Sequence, residues 1–492
     1  MPLPLASLNF SPTLLCFVLY LAATIAIGLW AARRGRDDQE DYFLGGRKLS
    51  AIAMALSAVS SGRSAWLVVG ASAAAWTSGL SALWLFPGYI IAEAWMFVGL
   101  GPRLREKSLE CDAITIPEVL ARAPLGRNFV RGHSALPVQA VAGLITIAFL
   151  IAYVSAQLTA GAKTLEFALA VDGPTWGLAI TAGIVLLYTL LGGYRAVVLT
   201  DVVQAVLMLF GLVVLPVFAM AQIGGFGALQ DRLHAIDPSL LSLWRGALPF
   251  FGGFAIGLGS LGQPHILVRH MSLENPEDAR KALWMGTGWN VVMAGGALLM
   301  GLVGRALYPA LEDLAGNDAE GVFVTLAADL SAHYAFEGAL GILVAALFAA
   351  VMSTCDSQLL VVASSALRDL AGKREDSHAG GRWKGRVAVA VSLVAAVALH
   401  LGDLPQVLVF VLLAWSALGA AFGPALILAL YDPRSNSRGV FSAMLIGVVG
   451  ISVTHFYWLP EGEHISWQLA VVFAVALGVG WLLRERLPRE LR

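Results

Sequence analysis

An all-α polytopic membrane protein of about 13 transmembrane helices, with a five-plus-five inverted-repeat core that contains two broken helices, is the fold class this sequence predicts. Three observations carry that prediction. The 492 residues are 58% hydrophobic and only 13% charged, with a mean hydropathy of +0.75, whereas soluble domains carry about 25% charged residues. Apolar runs of about 20 residues, the length a bilayer core requires, recur along the chain. Two of these runs are interrupted by glycine and polar residues, and they stand five spans apart, which inverts one relative to the other.

In order, the runs fall at about 12–32, 50–77, 80–101, 136–168, 173–192, 197–221, 246–268, 283–308, 338–366, 385–402, 406–431, 439–457 and 466–483. The first has no basic segment ahead of it and is long enough to cross, so it reads as a retained helix and not as a cleaved signal peptide. An odd number of spans puts the termini on opposite sides, and the positive-inside rule chooses which. With the N-terminus outside, the inside loops hold Arg33, Arg34, Arg36, Arg47 and Lys48, then Arg103, Arg105, Lys107, Arg122, Arg127 and Arg131. Further on they hold Arg368, Lys373, Arg374, Arg382, Lys384 and Arg386, and the tail adds Arg484, Arg486, Arg489 and Arg492. The outside loops carry mainly acids: Glu312, Asp313, Asp318, Glu320, Glu461 and Glu463. The expected topology is N-out and C-in.

The expected organisation is a first helix and cytoplasmic loop (1–48), a first repeat of spans two to six (49–221), a second repeat of spans seven to eleven (222–432), and two peripheral helices with a short tail (433–492). Amphipathic patterns at about 222–245 and 309–335, such as VFVTLAADLSAHY (Val322–Tyr334), read as short surface helices that could cover a gate. The stretch KREDSHAGGRWK (Lys373–Lys384) reads as a polar connecting loop. The net charge of −1 gives no sign of a nucleic-acid partner, and Cys16, Cys111 and Cys355 offer neither a disulfide framework nor metal spacing. No nucleophile–base pair presents itself, so no enzyme is expected, and His265 and His270 read as packing or interfacial groups. A sensor is the alternative of another class, but the tail after Leu483 is too short for a signalling domain and would need a separate partner protein.

The second span carries the sharpest signal. Ser60, Ser61, Gly62, Arg63 and Ser64 bring hydroxyls, a glycine and a guanidinium to mid-membrane depth. An Arg there costs about 2.5–3.5 kcal/mol on insertion scales, so it faces protein or a water-filled cavity and marks a functional site by default. The alternative is a kinked helix whose Arg pairs structurally with a buried carboxylate. In the seventh span Gly252, Gly253, Gly257, Gly259, Gly262 and Pro264 predict a break beside Ser260 and Gln263. Interrupted helices expose carbonyls and helix ends to an ion and a solute in secondary transporters. The ninth span adds Ser353, Thr354, Asp356 and Ser357, hard oxygen donors suited to an alkali cation. Asp201, at the start of span six, either sits near the cytoplasmic interface or takes part in function. Glu93 lies inside span three and either pairs with Arg63 or protonates.

Taken together, DYFLGGRKLS (Asp41–Ser50), LSAVSSGRSAWLVVG (Leu56–Gly70), TIPEVL (Thr115–Leu120), LLGGYRAVVLTDVVQ (Leu190–Gln204), LGQPHILVRHM (Leu261–Met271), AAVMSTCDSQLLVVASSALRDL (Ala349–Leu370) and AWSALGAAFGPALIL (Ala414–Leu428) resemble the sodium:solute symporter family, and within it the sodium/proline symporters. The resemblance implies alternating access around a central site within spans two to eleven, with Na⁺ as the coupling ion and no other cofactor. It implies a principal Na⁺ site at the carbonyls of Ser60, Arg63 and Ala350 and the hydroxyls of Ser353 and Thr354. A second cation position would fall on Asp201, Ser353, Asp356 and Ser357. Gly62 departs from the pattern, since proline symporters place an acid there. Ile256 and Ser260 stand where those carriers have aromatic residues, while Tyr153 is retained. The expected solute site is lined by Arg63, Ser64, Trp66, Tyr153, Gln157, Ser260 and Gln263. Three roles stay open for Arg63: a fork onto a solute carboxylate, a pair with Asp356 or Glu93, or a resident cation replacing Na⁺. The leading reading is a Na⁺-driven importer of a carboxylate-bearing, amino-acid-like solute in an inner (plasma) membrane. The alternative transport reading is Na⁺-independent exchange or proton symport.

Overall fold

The computed structural model describes residues 11–33, 38–124, 136–169, 174–333, 337–371, 381–401, 407–457 and 466–484. Arg34, Arg36, Arg127, Arg131, Lys373, Arg374, Glu461, Glu463, Arg486, Arg489 and Arg492 lie outside them, as does most of the loop expected at Lys373–Lys384. Among the described residues the chain is all helix and turn, apart from one isolated bridge between Leu49 and Leu273. Among the described residues nine helices are long and apolar enough to cross a membrane, and four shorter apolar helices lie at the second, fifth, seventh and thirteenth expected spans.

Both predicted breaks are present. Span two runs as Ala51–Gly62, leaves helical geometry at Arg63 (φ −108, ψ 56), and resumes through a π-helical turn, Trp66–Ala71, into Ser72–Ser78. Span seven runs as Ala247–Ser260 and Pro264–Met271. Gln263 between them is extended (φ −84, ψ 104), as expected of a residue ahead of proline. Pro264 then opens the next half, where its missing N–H is not needed. The Leu49–Leu273 bridge joins the entry of span two to the exit of span seven, with Leu49 N donating to Ser272 O at 3.0 Å.

Spans five and six form one helical path, Pro174–Ile223, bent at Gly193 where a loop between 192 and 197 was expected. Gly193 has φ 61 and ψ −169, a region open essentially to glycine alone. A single residue therefore makes the corner. Beside it Arg195 holds Asp41 at 2.6 Å. The two amphipathic stretches do form helices, Phe226–Ile236 and Val322–His333. The second is less superficial than its pattern suggests, with Phe323, Leu326 and Ala327 buried. Lys163, near the end of span four (Leu136–Leu169), pairs with Asp318 at 3.0 Å and Glu320 at 2.6 Å just ahead of that helix.

The glycines of span seven serve contact more than bending. A Cβ on Gly257 would stand 2.1 Å from Gly88 O, and one on Gly88 would stand 2.2 Å from Phe254 O. Spans three and seven thus touch backbone to backbone, which fixes Glu93 on span three beside the break of span seven. We expect Gly257→Ala to lower stability by about 1–3 kcal/mol through overpacking. Gly288→Ala, whose Cβ would meet nothing within 4 Å, should not destabilise. Melting of the two detergent-purified variants checks this.

Candidate functional site

The two breaks leave backbone groups without helical partners, and buried side chains take them up. Gln157 Oε1 accepts from Ala65 N at 3.1 Å, and Trp66 Nε1 donates to Gly62 O at 3.0 Å. Across span seven, Gln263 Nε2 donates to Gly259 O and to Trp415 O, each at 3.0 Å. Ser64 Oγ lies 3.2 Å from Tyr153 Oη. Tyr89 Oη, Gln157 Nε2 and Gln263 Oε1 are among the buried polar atoms that have no hydrogen-bond partner among the described residues.

Arg63 lies in this region, fully buried, and it is ion-paired. Nη2 donates to Glu93 Oε1, Nε donates to Asn290 Oδ1 at 3.0 Å, and Nη1 donates to Gly62 O at 3.2 Å. Asn290 closes a ring by donating Nδ2 to Glu93 Oε2 at 2.8 Å, and Ser260 Oγ donates to Glu93 Oε1 at 3.3 Å. The guanidinium carbon stands 3.7 Å from the centroid of the Tyr89 ring, a cation–π distance. The pair with Glu93, one of the roles left open for Arg63, is therefore formed. Asp356 instead accepts from Ser357 Oγ at 3.2 Å. A Cβ on Gly62 would lie 3.7 Å from Glu93 Oε1. The Glu93 carboxylate, carried by span three, thus stands close to where a side chain at 62 would point.

A second cluster forms where span nine (Glu337–Ser365) crosses the break. Ser353 Oγ donates to Ser60 O and Ala350 O, both at 3.3 Å, and Thr354 Oγ1 reaches Ser61 O at 3.1 Å and Ala350 O at 3.2 Å. Five of the expected Na⁺ donors therefore have the outcome that four gather here. The carbonyl facing Thr354 is that of Ser61, while that of Arg63 makes no such contact.

Asp201 is not interfacial. It is fully buried, accepting from Ser57 Oγ at 2.5 Å, Ser61 Oγ at 3.2 Å and Arg269 Nη2 at 3.0 Å, all at Oδ2. Arg269, also buried, donates to Ser57 Oγ at 3.0 Å, Ser61 Oγ at 2.8 Å, Ser357 Oγ and His265 O. A guanidinium therefore lies against Asp201 and Ser357, two members of the expected second cation set. Ser57, Ser61, Arg269, Asn290 and Tyr89 were missing from the sequence-derived site. A buried Asp201 demands a cation, and that demand was the signal for Arg269. His265 and His270 are both buried, with the Tyr153 and Phe97 rings 6.0 and 5.3 Å away, which fits packing and not an interface.

The model of the sodium:solute symporter family matches residues 42–447. The chain belongs to the sodium:solute symporter family. It is a Na⁺-coupled symporter of a small organic solute, built as a multi-pass membrane protein. It is 36% identical over 450 residues to the osmoregulated proline transporter OpuE of Bacillus subtilis (strain 168), covering 90% of this chain and 88% of that one. It is 33% identical over 464 residues to a sodium/proline symporter of Staphylococcus aureus (strain JH9), covering 92% and 88%. In fold it is similar to a substrate-bound, outward-open Na⁺-coupled sialic acid symporter (TM-score 0.75, 17% identity, 98% of this chain and 100% of that one). It is also similar to Mhp1 in a closed conformation with bromovinylhydantoin bound (TM-score 0.55, 13% identity, 89% and 92%).

In this symporter the buried Arg63 and Arg269 guanidinium groups each meet a buried carboxylate, Glu93 and Asp201. Removing one member strands the other, at a cost of about 3–5 kcal/mol, whereas replacing both with apolar groups of similar volume is far cheaper. Arg63→Met and Glu93→Leu should each lower the melting temperature, and the double variant should melt above either single one.

Proposed function

We propose that the protein imports a small, carboxylate-bearing, amino-acid-like solute down an inward Na⁺ gradient. The observation that supports this most directly is the meeting of the Ser353 and Thr354 hydroxyls with the Ser60, Ser61 and Ala350 carbonyls, which joins span nine to the break of span two. Such a set of hard oxygens suits Na⁺. Bound Na⁺ would hold the two spans together and favour the state that takes up solute, a population shift set by differential affinity. The solute site lies between the two broken spans, within the repeats 49–221 and 222–432, and is bordered by Arg63, Ser64, Trp66, Tyr153, Gln157, Ser260 and Gln263. The relatives that transport proline support an amino-acid-like solute. The basic loops support an N-out, C-in orientation in the plasma membrane.

One observation favours a refinement. Because the Arg269 guanidinium sits against Asp201, Ser61 and Ser357, it serves as a fixed cation at the second position, and a single Na⁺ accompanies the solute.

In liposomes, uptake of radiolabelled proline should rise under an inward Na⁺ gradient, and Ser353→Ala with Thr354→Ala should abolish that dependence. Uptake indifferent to Na⁺ and to both substitutions refutes the reading. The Na⁺ dependence of the wild type should follow a Hill coefficient of about 1, since the coefficient cannot exceed the number of coupled sites. A coefficient well above 1 in the wild type defeats the single-ion refinement.

A further inference from the structure

The Arg63–Glu93 pair lies between the two broken spans. Arg63 is in the break of span two, and Glu93 accepts from Ser260 at the break of span seven, so the pair links the two interruptions. Interrupted helices of this kind supply the solute site of secondary transporters. Asn290 touches both partners, as acceptor to Arg63 at 3.0 Å and donor to Glu93 at 2.8 Å. Tyr89 Oη, on the ring that faces the Arg63 guanidinium, and Gln157 Nε2 and Gln263 Oε1, at the two breaks, are buried polar atoms with no partner among the described residues. A side chain needed only as a brace does not require such a surround.

We propose that this internal ion pair stands in for the solute and that the solute is a zwitterion, a small molecule carrying one carboxylate and one protonated amine. The inference rests on the central-site reading above. On binding, the solute carboxylate takes the place of Glu93 on the Arg63 N–H groups, and the solute ammonium takes the place of Arg63 on Glu93. The planar guanidinium suits the first contact. One ion pair becomes two, and the net charge of the buried site does not change. A monoanion would occupy Arg63 and strand Glu93; a monocation would occupy Glu93 and strand Arg63. Either leaves a buried charge without a counter-ion, which is strongly unfavourable. The pair is therefore a filter that rejects singly charged analogues, specificity through a penalty on the wrong ligand.

The test measures melting shifts of the full-length protein in Na⁺ with three probe sets: the common α-amino acids including proline, their des-amino carboxylates, and their decarboxylated amines. At least one zwitterion should bind more than about tenfold tighter than both of its singly charged counterparts, a ratio worth about 1.4 kcal/mol. In Glu93→Gln the same zwitterion should weaken by about tenfold or more, and its des-amino carboxylate should bind as well as or better than the zwitterion. Should Glu93→Gln not fold, the Arg63→Met/Glu93→Leu variant replaces it; it should keep the Na⁺-induced shift and lose the zwitterion response. A wild-type protein that binds a carboxylate, an amine or an uncharged sugar as tightly as any zwitterion overturns the inference and leaves Na⁺-coupled transport standing. So does a zwitterion preference that survives either variant. Absence of any Na⁺-induced shift in the wild type, by contrast, strikes the functional reading itself.

Discussion

Among the described residues, the two broken spans bury a guanidinium each, that of Arg63 and that of Arg269, and a buried charge is costly without a counter-ion. Each has to be met by an anion, and each anion has to come from another helix. Arg63 draws Glu93 from span three and Asn290 from span eight; Arg269 draws Asp201 from span six with hydroxyls from spans two and nine. The broken spans two and seven are thereby tied to most of their neighbours through charge. A polar break in a membrane helix is tolerable only where protein surrounds it, and these two pairs, with Gln157 and Gln263 on the freed backbone, provide the surround.

The residue that connects the charge networks to the ion donors is Ser61. Its carbonyl faces Thr354, while its hydroxyl lies within 3.2 Å of Asp201, Ser353 O, Ser357 and Arg269. One residue thus hydrogen-bonds both to the hydroxyls of span nine and to Arg269. Arg63 faces the other way, toward spans three, seven and eight, so the break of span two presents one side to the hydroxyls of span nine and the other to an ion pair. The adjacency of Ser60 through Ser64 in the sequence makes that division possible, because unwinding turns successive residues to different sides.

Much of this was legible in the sequence. Serine, glycine and arginine in the middle of an apolar run announce a break, and a proline after a cluster of glycines announces another. Ser353 and Thr354 were legible because hydroxyls one residue apart in a buried helix suit few roles other than donors to a nearby acceptor or ion. Glu93 was legible as a partner for Arg63, though not as the one chosen over Asp356, since a sequence gives depth along a helix and not which neighbour faces it. Arg269 was overlooked for a physical reason. It stands in the last turn of a half-helix, where a cation is already favoured by the helix dipole, and nothing local marks it as buried. Asp201 was legible only as one of two readings, because an acid opening a helix also looks at home beside water. Gly193 was read as part of a loop, since one residue able to turn a corner alone is indistinguishable in sequence from the start of a longer connection.

The contact between Gly88 and Gly257 has a mechanical meaning. Side chains between two helices act as a cushion, since rotamers can rearrange and absorb small displacements. Here that cushion is missing, for carbonyl and Cα stand directly against each other. Spans three and seven are thus geared together at this point with little slack. A tilt of the upper half of span seven carries span three with it, and Glu93, less than two turns along from Gly88, travels in step with Ser260. Stiffness at a pair of residues without side chains keeps an acid and a hydroxyl in register while the rest of the bundle moves.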